Sequence, residues 1–148
     1  MAFRSIISHR LVKGKDLNHH KSLFAGRCAE WIVESSYVAI ATKLEAEHVV
    51  CMKIHGIEFL QAIYSGDVLI LDSKIVCNGR TTLTVYTRVY KAGTPEDTFC
   101  DGFITFLHVD ANTSPKAHGI DIIPSDDEEL QLHDIAKELS LTCGRRSS

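Results

Sequence analysis

The sequence lacks most of the signatures that would commit it early to a function. Its 16 Lys and Arg against 19 Asp and Glu give a formal charge of −3 and a pI near 6.2. That excludes the large basic excess that holds a nucleic-acid backbone or an anionic membrane by bulk electrostatics. No run approaches the roughly 18 apolar residues that span a bilayer, and MAFRSIISHR lacks the apolar stretch of a secretory signal. The five cysteines are odd in number, far apart and form no CxxC pair, so neither a zinc site nor a redox motif is indicated. No serine sits in a GxSxG elbow, no GxxxxGK loop occurs, and no segment repeats or is low in complexity. The expectation is a soluble cytoplasmic protein with reduced, buried cysteines.

What is present fits one domain. A chain of 148 residues with 45% hydrophobic content can bury a sizeable core without staples. Ser5 to Val12 reads as a short edge strand. From Phe24 to about Leu44, the apolar residues Phe24, Cys28, Trp31, Ile32, Val38 and Ala39 fall at helical spacing. Four β-rich runs follow, over His48 to Ile54, Asp67 to Cys77, Thr81 to Lys91 and Thr98 to Asp110. Asn78-Gly79 between two of them signals a hairpin, and an antiparallel meander is the natural arrangement. Ser125-Asp126-Asp127-Glu128 matches a capping box for a short helix to about Leu139, and Gly144 to Ser148 is expected to be disordered. The fold class is α+β, with the curled antiparallel sheet wrapped around one long central helix. A single domain spans 1–148, with its core over about 5–123 and a C-terminal extension over 124–148.

The segment DLNHHKSLFAGRCAEWIVESSY, residues 16–37, resembles the acyl-CoA thioesterase branch of the hot-dog superfamily. Gly66-Asp67-Val68-Leu69, Asn78-Gly79-Arg80-Thr81-Thr82 and the Pro115 to Ile120 loop extend the resemblance in order over roughly residues 5–123. It implies a single hot-dog domain paired into a homodimer, with trimers of dimers common and the active site between subunits. It also implies an acyl-CoA substrate, no separate cofactor because CoA is part of substrate and product, and no nucleic-acid or membrane partner.

Thioester hydrolysis needs a polarised carbonyl, a positioned water and a carboxylate that acts as base or nucleophile. Backbone N–H groups around Ala25, Gly26 and Arg27 at the helix start would meet the oxyanion, aided by the helix dipole. Counted from Gly26, the family's usual acidic position falls on Val33, which cannot ionise. Glu34 is the leading catalytic carboxylate and Glu30 the second, although one helical step turns a side chain by about 100°. Asn18 matches the motif asparagine and is a further catalytic candidate, while Ser22 and His20 are candidates for binding the substrate. Both Asn18 and Ser22 could equally satisfy turn and helix-end groups. Lys21 and Ala25 stand where the motif commonly has glycine. For the CoA end, Arg27, Arg80, Thr81 and Lys116 are candidates, with Arg88 and Lys91 as further cations. His19-His20 alone does not make a metal site, and none is expected.

Overall fold

A computed structural model describes residues 2–144. Strand β1 (Ile6–Leu11) leads through a 3-10 turn (Gly14–Asp16) and a tight loop into helix α1 (Ala25–Ala41). A second 3-10 turn (Ala46–His48) opens β2 (Val49–Phe59), followed by β3 (Val68–Asn78), β4 (Thr82–Lys91), β5 (Thr98–His108) and helix α2 (Asp127–Gly144). The five strands form one antiparallel sheet in the order β1-β3-β4-β5-β2.

Helix α1 forms because its sequence offers one continuous apolar stripe. Cys28, Trp31, Ile32, Ser35, Ser36, Ala39 and Ile40 are its buried residues, recurring at i, i+3 and i+4 on successive turns. That face meets all five strands, so the sheet curls round it. The interface carries a polar seam: Ser36 Oγ donates to the Ile32 carbonyl at 2.8 Å and meets Thr87 Oγ1 at 2.8 Å, which in turn meets Ser73 Oγ at 2.6 Å. These hydroxyls are fully buried and satisfy one another, which ties α1 to the middle of β3 and β4. Along β3, burial alternates from Leu69 to Ile75 and becomes continuous over Ile75, Val76 and Cys77, where the second face is also covered: Leu69, Leu71 and Ile75 join the α1 core, while Val76 packs with Ala136 of α2.

Several expectations are revised. Strands β3, β4 and β5 form a meander, but β2 leaves that order and lies at the far edge beside β5. A strand between helix and hairpin has two free edges to choose from, and neighbouring runs in sequence do not settle which one. β2 also extends to Phe59, with register shifts between Cys51 and Lys53 and between Ile54 and Gly56 that break its alternation. The Asn78-Gly79 hairpin is present, yet Gly79 N–H donates to the Thr82 carbonyl and the bend falls at Arg80-Thr81. Asn78 instead uses Oδ1 to accept the Ile122 N–H at 2.7 Å, pinning the late loop.

The C-terminal helix is 18 residues long and runs past Leu139. Its cap is shifted by one from the expected box: Asp126 accepts the Glu129 N–H at 2.8 Å, and the Glu129 carboxylate accepts from Ser125 N–H and Oγ. Gly144 belongs to this helix, and the remainder of the expected disordered tail lies outside the described residues. Among the described residues, no helix is long and apolar enough to cross a membrane.

Candidate active site

The site is built at the start of α1 by a loop that closes on itself. Leu17 and Leu23 form an antiparallel bridge, and between them Asn18 is the hub. Its Oδ1 accepts the N–H of His20 at 2.8 Å and of Ser22 at 3.2 Å, and its Nδ2 donates to Ser22 Oγ at 3.2 Å. The turn requires Lys21 to adopt φ 62°, the left-handed region that costs a residue with a side chain. This explains in backbone terms why the related motif favours glycine there. Leu23 N–H donates to the Ile63 carbonyl at 2.7 Å, fastening the loop to the β2–β3 connection.

Asp16 holds the helix start from the other side. It is 4% exposed, its Oδ2 accepts the Lys13 N–H at 2.9 Å, its Oδ1 lies 3.4 Å from Arg27 Nε, and its carbonyl accepts the Phe24 N–H. The sequence reading missed this role. No local spacing signals it, because Asp16 and Arg27 lie on either side of the loop and meet only once it is folded.

Phe24 caps α1 without a side-chain acceptor. The N–H groups of Arg27 and Cys28 both turn back to the Phe24 carbonyl, so the first-turn donors left without a backbone carbonyl are those of Ala25 and Gly26. They sit at the positive end of the helix dipole. At Gly26, a Cβ would lie 2.5 Å from Cε1 of the Phe24 ring, which is itself 55% exposed; glycine lets that ring rest on the first turn.

Beside these donors opens a cleft of about 290 Å³. Asn18, Ser22 and Ala25 form its polar side, and Phe59, Leu60, Ile63 and Phe99 its apolar walls. Cys28 and Cys100, both buried and both free thiols, lie against it. The two thiols hydrogen-bond to each other; the Cys100 thiol pulls the Cys28 pKa down, and that same bond together with burial pushes Cys100 up. Among the described residues, no carboxylate lines this cleft. The arrangement can hold an apolar group and polarise a carbonyl with two backbone donors.

The structure therefore gathers Asn18, Ser22 and Ala25 at the cleft, with Gly26 next to Ala25 in the first turn of α1, and leaves the other candidates elsewhere. Glu34 is exposed and paired with Arg10 of β1, which also stacks on Trp31 at 5.4 Å. It lies nine residues beyond Ala25, roughly 13 Å along the helix. Val33 turns to the other flank, half-buried against the core together with Tyr37, whose ring meets Phe106 of β5. Glu30 is exposed and reaches Arg27 at 3.4 Å, so Arg27 is shared between Glu30 and Asp16. His20 is exposed outside the cleft wall, its ring 3.9 Å from that of His19.

Arg80, Thr81 and Lys116 cluster at the opposite end of the sheet. His108 N–H donates to the Thr81 carbonyl, Lys116 N–H to the His108 carbonyl, and His118 N–H to the Arg80 carbonyl. From Cys100 to His108 the strand covers roughly 27 Å, so these residues are remote from the cleft of their own chain. Arg88 is engaged by the Pro95 carbonyl and Tyr90, and Lys91 pairs with Asp67 at 3.1 Å.

An antiparallel sheet curled about one long helix, with a cleft at that helix's N-terminus, is the hot-dog fold. No protein-family model matches the chain. It is 26% identical over 124 residues, 82% of its length and 71% of the relative's, to an uncharacterized acyl-CoA thioester hydrolase of Bacillus subtilis. Its structure matches that of an apo-hexameric acyl-CoA thioesterase with TM-score 0.79 and 26% identity, over 97% of this chain and 93% of the other. It also superposes on an acyl-CoA hydrolase from Staphylococcus aureus, solved with butyryl-CoA, CoA and CoA disulfide (TM-score 0.81, 24% identity, 97% and 88% covered). The chain thus has the hot-dog fold and is similar to acyl-CoA thioester hydrolases in both sequence and structure.

Proposed function

We propose that this protein hydrolyses an acyl-CoA to a free carboxylic acid and CoA. The observation that carries the reading is the start of α1, where the N–H groups of Ala25 and Gly26 have no backbone carbonyl partner and Ala25 lines, with Asn18, a cleft with apolar walls. Two such donors stabilise the oxyanion of an attacked thioester, and that term is usually among the largest in acyl transfer. Asn18, already rigid through its loop bonds, holds the carbonyl or the water.

The working unit is a homodimer, and three dimers assemble further; the similar acyl-CoA thioesterase is hexameric. Support comes from β2, a free sheet edge on which Val50, Met52 and Ile54 are exposed. In its own chain Glu34 is far from the cleft, so it acts, as base or nucleophile, only across a subunit boundary. Arg80, Thr81 and Lys116 likewise meet the CoA phosphates of a neighbouring subunit's substrate, and His20, Ser22 and Arg27 lie nearer the mouth. The proposed compartment is the cytoplasm, and the reaction needs no cofactor beyond the CoA of its substrate.

A second reading, acyl-CoA binding without turnover, is favoured by one observation: Val33 occupies the usual acid position and, among the described residues, no carboxylate lines the cleft. A thiol-release assay over short, medium, long and aryl acyl-CoAs separates the two. Hydrolysis that falls at least a hundredfold in Asn18→Ala and Glu34→Gln, with fold and oligomeric state kept, supports the enzyme and its carboxylate. A rate unchanged in Glu34→Gln removes Glu34 from the mechanism, and binding with no CoA release at any chain length decides for the second reading.

A further inference from the structure

We infer that the cleft takes short-to-medium acyl chains, up to about eight carbons, and that Phe99 with the Cys28–Cys100 contact sets this limit. The inference rests on the thioesterase reading and specifies its substrate. Ala25, beside the oxyanion donors, is exposed, while Cys28 one turn later is 2% exposed and Cys100 opposite it 1%. The route from carbonyl to chain end therefore runs inward from the helix start. Cys28 on α1 and Cys100 on β5 both line the cleft and are almost fully buried, so they form its inner floor.

Volume sets the scale. A methylene fills about the space of a water, ~30 Å³, so 290 Å³ holds about ten such groups. The thioester carbonyl and sulfur use about two of them, which leaves room for about eight carbons. Phe99 is a fixed wall, since its carbonyl accepts both Leu60 N–H (2.9 Å) and Gln61 N–H (3.3 Å), anchoring its backbone to the β2–β3 connection. Cys28 and Cys100 are small, so the floor is set by their contact and not by bulk.

The test measures kcat/KM for straight-chain acyl-CoAs from C2 to C16. In the native protein, kcat/KM rises about fourfold per added methylene while each finds apolar contact, peaks near C6 to C8 and falls beyond C10. Phe99→Ala moves the peak at least two carbons longer, and Cys100→Leu, which fills the floor, moves it at least two carbons shorter. The C12-to-C6 ratio is read within each variant, so loss of folded protein does not shift it. A native optimum at C14 or longer, or a ratio unchanged in both variants, overturns the inference. If no acyl-CoA of any length is hydrolysed, the activity reading fails separately. The affinities of S-alkyl-CoA thioethers over the same lengths then carry the length test, with the same outcomes.

Discussion

Replacing Asp16 tests whether the helix start, and with it the oxyanion site, is held as described. Asp16→Ala removes the charge-assisted bond to the Lys13 N–H, worth about 1.5–3 kcal/mol. It also removes a carboxylate near the positive end of α1, about 0.3–1 kcal/mol. The contact to Arg27 adds little, because that side chain is 38% exposed and solvent screens the pair. Relief of burying a charge offsets part of the sum, and the expected loss is about 2–3 kcal/mol. For a domain of this length that lowers Tm by about 5–10 °C.

Asp16→Asn keeps an acceptor for Lys13 and should lose only about 1 kcal/mol, or about 3 °C. Thermal unfolding followed by circular dichroism gives both values, and thiol release on the folded variants should show KM rising as the 17–23 loop loosens. Two results refute the reasoning: a fall below 2 °C in Asp16→Ala, or equal falls in the two variants. The first would mean that Asp16 holds nothing, and the second that its charge, not its hydrogen bond, is what matters.

Lys21→Gly relieves the φ 62° conformation and is expected to stabilise by up to about 1 kcal/mol, read as a rise in the urea midpoint at unchanged m. His55 has its pKa lowered, first by burial and then by Lys53, so the unfolded chain binds the proton more readily. Stability is therefore expected to fall as pH drops below the unfolded value of about 6.5, and urea titrations from pH 7.5 to 5 should show this slope flattened in His55→Gln. Asp126→Ala removes the α2 cap at a cost of about 1 kcal/mol, and amide exchange should speed up in the first turn of α2 while α1 is unaffected. Ala136→Leu overfills the fully buried contact of α2 with Val76 and should cost about 1–3 kcal/mol in urea unfolding.

How far the sequence could be read depended on whether the information was local. The α1 stripe from Cys28 to Ile40 has one face and one period, so its burial could be read from spacing alone. The hairpin between β3 and β4 was equally visible, because its partners are neighbours in sequence. The position of β2 was not, since Val49 pairs with His108 and nothing near Val49 encodes that choice. The bulges in β2 broke the alternation that would have shown its full length. In the site, the loop chemistry of Asn18 and Ser22 was legible from residue type, whereas Asp16 acquires its role only when Lys13, Phe24 and Arg27 converge on it. The pairing of Glu34 with Arg10 was hidden for the same reason, because the two lie on separate elements.

The strand order has a consequence for synthesis. The two edge pairings join distant residues, such as Ile6 with Ser73 and Val49 with His108, while β3, β4 and β5 pair with immediate neighbours. Local hairpins close early and distant pairings late. As the chain leaves the ribosome, β2 therefore emerges with Val50, Met52 and Ile54 and waits for β5 before it has any partner. During that interval its backbone donors and apolar side chains are open to other nascent chains. β2, an edge strand paired on one side only in the finished monomer, is thus also late to be paired during folding, which makes it a segment whose substitutions should affect soluble yield.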